Sequence, residues 1–125
     1  MTSSQNIENR SIAQEWIDMH RAERSSPQRE ALSWAYDLLE RLRDSDTERY
    51  WLILGDILSI DHSDEAIANL AAGPLEDLLV YHGEAFIDRV EKSSREDIVF
   101  KRMLGMVWRN DIPEPIWLRV QRASG

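Results

Sequence analysis

The sequence predicts an all-α fold: a compact bundle, or a short HEAT-like stack, of about seven or eight short helices. Three observations lead there. Apolar residues recur at helical spacing along most of the chain, no stretch keeps a period-two alternation between turn signals, and serine, aspartate, proline and glycine fall where helices start and stop.

The first helix is expected to begin at Ser11, whose hydroxyl would cap it while Gln14 reaches back. Ile12, Ala13, Trp16, Ile17 and Met19 then share a face, and the polar residues 1–10 before it read as a flexible tail. Pro27 suits the first position of a second helix, where its missing N–H is not needed. That helix carries Ala31, Trp34, Ala35, Leu38, Leu39 and Leu42 on one stripe. Ser45 and Glu48 form an S-x-x-E start for a third, with Trp51, Leu54, Ile57 and Leu58 inward.

Residues 61–65 read as a turn and N-cap opening a short fourth helix with Ile67, Leu70 and Ala71. Gly73-Pro74 is expected to end it and start a fifth, which Gly83 would close behind His82. Phe86, Ile87 and Val90 mark a sixth. Ser94 with Asp97 would cap a seventh, carrying Val99, Phe100, Met103, Leu104, Val107 and Trp108. A connection over residues 110–115 leads to a last helix with Ile116, Trp117 and Val120. Gly55 and Gly105 interrupt helical patterns at a cost of about 1 kcal/mol each; close approach of another helix is the expected compensation. Segments 27–60 and 83–110 could stack as helical hairpins, but they lack the self-similarity of a true repeat.

One domain over residues 1–125 is the natural division for this length. Cysteine is absent, which removes disulfides, zinc–thiolate sites and thiol nucleophiles. The N-terminus has no apolar core of the signal-peptide kind, and no window approaches the ~18 apolar residues of a membrane span. A cytoplasmic protein is expected.

Charge is the most informative part of the composition. The net value of -8 disfavours nucleic acid and anionic membranes as direct partners. Residues 50–88 hold no Lys or Arg but eight acids: Asp56, Asp61, Asp64, Glu65, Glu76, Asp77, Glu84 and Asp88. Residues 89–125, by contrast, carry a net +3. Acids collecting at helix starts explain part of this. The functional reading is an acidic face for a protein partner with a basic surface, with Asp56, Asp61, Asp64, Glu65, Glu76, Asp77, Glu84 and Trp117 as the candidate contacts.

Signals for chemistry are weak. His20, His62 and His82 form no metal-ligand pattern, and residues 61–65 lack the alternating order of a calcium loop. Glu76-Asp77 and Glu96-Asp97 are adjacent acids, and neighbours on a helix point apart. No nucleophile elbow or phosphate-binding loop occurs. No catalytic residue, metal or cofactor is therefore assigned. The five tryptophans read mainly as core, with Trp117, beside Arg119 and Arg122, as the one expected to be partly exposed.

Two blocks carry a resemblance. One is the run from Leu70 through Leu79 (LAAGPLEDLL), with His82-Gly83 and Phe86-Ile87-Asp88-Arg89-Val90-Glu91 after it. The other is Val107-Trp108-Arg109-Asn110 with Ile116-Trp117 and Val120-Gln121. Over residues 45–123 the chain resembles an uncharacterised, mostly bacterial domain-of-unknown-function family. The resemblance implies a helical domain and carries no assigned activity with it. It draws attention to Glu76, Asp77, His82, Asp88, Arg89, Trp108, Arg109 and Asn110, and Arg109 is expected to pair with Asp88 or Glu76.

The resulting functional expectation is a non-enzymatic protein-binding module, such as a small bacterial immunity or regulatory protein that neutralises its partner. The alternatives are a DNA mimic that occupies a nucleic-acid-binding protein, and a helical enzyme or ligand-binding protein with a site at Glu76, His82 and Arg109.

Overall fold

The computed structural model of the chain describes residues 3–125. Among the described residues every regular element is helical and there is no strand, as the apolar spacing predicts. The chain divides into two compact units, one ending at His62 and one spanning Ser63–Gly125.

The first unit consists of α1 (Ser3–Arg21), α2 (Pro27–Ser45) and α3 (Thr47–Ile60). Helix α1 packs against both others more extensively than they pack on each other. Its buried stripe is Ile12, Ala13, Trp16, Ile17 and Met19, the face that the spacing predicts. It meets Ala35, Leu39 and Leu42 of α2 and, from α3, Tyr50, Ile53, Leu54, Ile57 and Leu58.

Helix α1 starts at Ser3, not at Ser11, which lies exposed within it. Residues 3–10 have almost no apolar period, so their helicity is a tertiary effect. Arg49 of α3 donates through Nε to buried Asn9 Oδ1 at 2.8 Å and through Nη2 to Glu8 Oε1 at 2.5 Å. The predicted tail is therefore helix from Ser3 onward; Met1 and Thr2 lie outside the described residues.

Pro27 opens α2 as expected, and Ser26 caps it by accepting from the Arg29 N–H at 3.1 Å. Ser25, at φ 63°, turns the chain into that cap. The predicted Ser45 start is displaced by one residue. Asp46 Oδ1 accepts from the Arg49 N–H at 3.2 Å, while Ser45 Oγ donates to the Arg41 carbonyl in the last turn of α2. Aspartate caps as well as serine does, so composition alone cannot choose between neighbours. The Asp46 N–H also bonds the Leu42 carbonyl at 2.9 Å, so one residue closes α2 and opens α3.

In the second unit, Ser63 caps α4 (Asp64–Leu70) through the Ala66 N–H at 3.3 Å. The chain does not break at Gly73-Pro74. It runs through a π-type turn, Ala71–Leu75, directly into α5 (Glu76–Glu96). Proline has no N–H for the helical ladder and crowds the preceding carbonyls; the wider turn makes room for its ring. Helix α5 also passes Gly83 without ending, after a kink at His82 (φ -136°, ψ 23°).

Gly83 serves a different purpose. A Cβ there would lie 3.0 Å from Ile116 Cγ2, so its bare Cα lets α7 (Glu114–Ser124) approach α5 closely. Gly55, by contrast, faces open space in α3, and Gly105 is the residue just past α6 (Ile98–Leu104). Close helix approach explains Gly83, not the two glycines for which it was expected.

Asp97 caps α6 with its own side chain, accepting from the Val99 N–H at 2.9 Å. Ser94, predicted to share that role, is buried in α5 and donates Oγ to the Ala123 carbonyl of α7 at 2.7 Å. Helix α6 ends three residues earlier than Val107, which the pattern had placed in it. Bonds from the Met106 and Val107 N–H groups to the Met103 and Leu104 carbonyls tighten its exit. Helix α5 packs on α6 and α7, which also touch each other. Leu78, Leu79, Phe86, Ile87 and Val90 of α5 supply the centre of this core.

Candidate functional site

The acid-rich stretch does not form one bare face. Four of its acids are paired within their own units. Asp61 is buried and accepts from Arg21 Nη2 at 2.5 Å, and Asp56 lies 3.6 Å from Arg10. Burial raises the Asp56 carboxyl above its ordinary value, against the pull of Arg10 in the other direction. In the second unit Asp64 pairs with Arg102, and Asp88 accepts from Arg119 Nη2 at 2.6 Å. The basic C-terminal segment thus folds back to neutralise part of the acidic stretch that precedes it.

What stays outward concentrates on α5. With Leu78, Leu79, Gly83, Phe86, Ile87 and Val90 turned inward, the opposite side carries Tyr81, Glu84 and Asp88, with half-buried Asp77 one turn before Tyr81. Tyr81 is 60% exposed. Glu84, and Glu65 on α4, make no ion pair among the described residues. Glu76, at the head of α5, accepts from Asn110 Nδ2 at 3.1 Å.

That last bond fixes the α6–α7 connection against the start of α5. The connection is a tight turn. The Ile112 N–H bonds the Arg109 carbonyl at 2.8 Å, Arg109 Nε returns to the Ile112 carbonyl at 3.2 Å, and Asn110 sits at φ 41°. Asparagine tolerates this left-handed conformation better than most residues. Val107 and Ile112 are buried and pin the two ends of the turn. Between them Trp108 is 75% exposed.

The tryptophans therefore sort differently from the sequence expectation. Trp16 is buried, and its Nε1 has no hydrogen-bond partner among the described residues. Trp51 and Trp117 are half-buried, so Trp117 is partly exposed, as expected. Trp34 and Trp108 are exposed. Trp108 was hidden in the sequence because the apolar period runs on past Gly105. The signal that it leaves the helix is the turn chemistry immediately after it, Arg109-Asn110-Asp111 before Pro113.

Of the residues proposed as a constellation, Glu76 is bonded to Asn110 and Arg109 to the Ile112 carbonyl, while His82 sits at the kink of α5. Arg109 makes no ion pair with Asp88 or Glu76; its Nε is turned onto its own loop, and Arg119 does the clamping instead. Among the described residues no group of three or more His, Asp or Glu is placed to hold a metal ion. Among these residues no helix is long and apolar enough to cross a membrane.

Residues 22–125 match a family of unknown function, DUF6869. The chain belongs to that family. The DUF6869 match starts directly after α1 and takes in α2 through α7, so it contains both motif blocks, the head of α5 and the Trp108 turn. No curated protein and no solved structure matches the chain.

Proposed function

We propose that this chain is a non-enzymatic protein-binding module, of the small bacterial immunity or regulatory kind, that neutralises a partner with a basic surface through the outer side of α5. The observation that carries the reading is Tyr81, 60% exposed on α5 between Asp77 and Glu84, in a stretch (residues 50–88) that has no Lys or Arg. Tyrosine supplies a large, rigid contact area and is enriched at interfaces. Carboxylates around it accelerate encounter with a basic partner and set orientation more than final affinity. The proposed setting is the cytoplasm.

A nucleic-acid mimic has less support. It needs a row of free carboxylates spaced like phosphates, and Asp56, Asp61, Asp64 and Asp88 are engaged by arginines of this chain.

The test is affinity capture with the full chain in extract of its source cell. A basic protein should be retained at low ionic strength and released as salt rises, and E84Q and Y81A should each weaken its retention. Retention indifferent to salt and to both substitutions would count against this reading. Competition by duplex DNA for the same partner would favour the mimic.

A further inference from the structure

We infer that Trp108 is the anchor of the interface: it enters an apolar pocket on the same basic partner protein, while the acidic head of α5 beside it meets the pocket's basic rim. The inference rests on the protein-binding reading above and adds the residue that gives the complex its lifetime.

Three observations support it. The first is exposure. An indole that is 75% open to water contributes little to the core, and the fold has buried or half-buried Trp16, Trp51 and Trp117. The second is rigidity. Val107 and Ile112 are buried at either end of the turn, Arg109 and Ile112 bond each other twice, and Asn110 is tied to Glu76. A side chain presented on such a turn loses little freedom on binding, so more of its contact energy appears as affinity. The third is charge. The Asn110–Glu76 bond makes the turn continuous with the head of α5, where Glu76 and Asp77 follow one another. On the turn and just after it the exposed acids Asp111 and Glu114, with Glu76 bonded to Asn110, outnumber Arg109, so the formal charge beside Trp108 is acidic and complements a basic rim. Tryptophan is enriched among interface hot spots, which are surrounded by contacts that exclude water.

The experiment uses the full chain and the protein it captures from source-cell extract. Binding kinetics are measured for wild type, W108A, W108F and E84Q, with thermal melts of each. W108A should weaken binding about thirtyfold or more, almost entirely by faster dissociation. W108F should recover part of that loss, and E84Q should mainly slow association and flatten the salt dependence. The melting temperature of W108A should stay near that of wild type, because a structural tryptophan would lower it. If W108A binds like wild type while E84Q and salt still act, the anchor is wrong and the acidic interface stands. A chain that captures nothing overturns both readings. Concentration-dependent self-association of the chain alone, abolished by W108A, would instead make a second copy the occupant and overturn this assignment.

Discussion

Arg119 of α7 holds Glu91 of α5 through two parallel hydrogen bonds, Nε to Oε2 at 2.9 Å and Nη2 to Oε1 at 2.6 Å. The same Nη2 reaches Asp88 at 2.6 Å, so one guanidinium ties two successive turns of α5 to the C-terminal helix. Forked guanidinium–carboxylate pairing of this kind is directional as well as charged. The hydrogen bond from Arg119 is the main reason that the Glu91 carboxyl ionises below its usual range, outweighing the opposing effect of burial.

A pH dependence follows. Glu91 releases its proton more readily in the folded chain than in the unfolded one, so ionisation favours folding. Its contribution is complete above the ordinary carboxylate range, near ~4.3, and is lost as pH falls through the lower folded value. E91Q should therefore melt below wild type at neutral pH, and the gap should close in acid. Circular-dichroism melts across an acid-to-neutral series would show it; a gap that does not change with pH would contradict it.

Two glycines should respond in opposite directions to the same substitution. G83A places a methyl 3.0 Å from Ile116 Cγ2 and should cost about 1–2 kcal/mol, an overpacking penalty that outweighs the helix-propensity gain. In the I116A background most of that cost should disappear. G55A meets nothing within 4 Å and should stabilise the chain by about 0.5–1 kcal/mol. Urea unfolding of the four variants measures all of this.

The bond from Ser94 to the Ala123 carbonyl is the polar counterpart of the Gly83 contact, at the far end of the same helix pair. S94A removes a buried donor and should cost about 1 kcal/mol. The loss should be local: backbone amides in the last turn of α7 should exchange faster, with those of α6 unchanged. Uniform acceleration throughout the second unit would mean that the bond supports the whole core.

Much of the fold was legible because it rests on local rules. Helical class follows from apolar spacing, and Pro27 and Asp97 cap or open helices for reasons contained in a few residues. Two of the misreadings come from long-range context. Nothing near residues 3–10 announces that Arg49, forty residues on, will hold them in α1. Gly83 looks like a stop until Ile116 is seen against it. The candidate surface was half legible: the acidic stretch was evident, but not that arginines of the chain itself engage Asp61, Asp64 and Asp88. Trp108 was read as core because periodicity has no means of marking the residue at which a helix stops.

The wide turn at Ala71–Leu75 sets the rotational phase of everything after it. A π-type turn carries an extra residue relative to an α-helical one, and each residue advances a helix by about 100°. Shortening this segment by a single residue would swing α5 by that angle, turning Leu79 and Phe86 toward water and Tyr81 and Glu84 sideways. The awkward proline thus acts as an index mark, fixing which side of α5 looks outward.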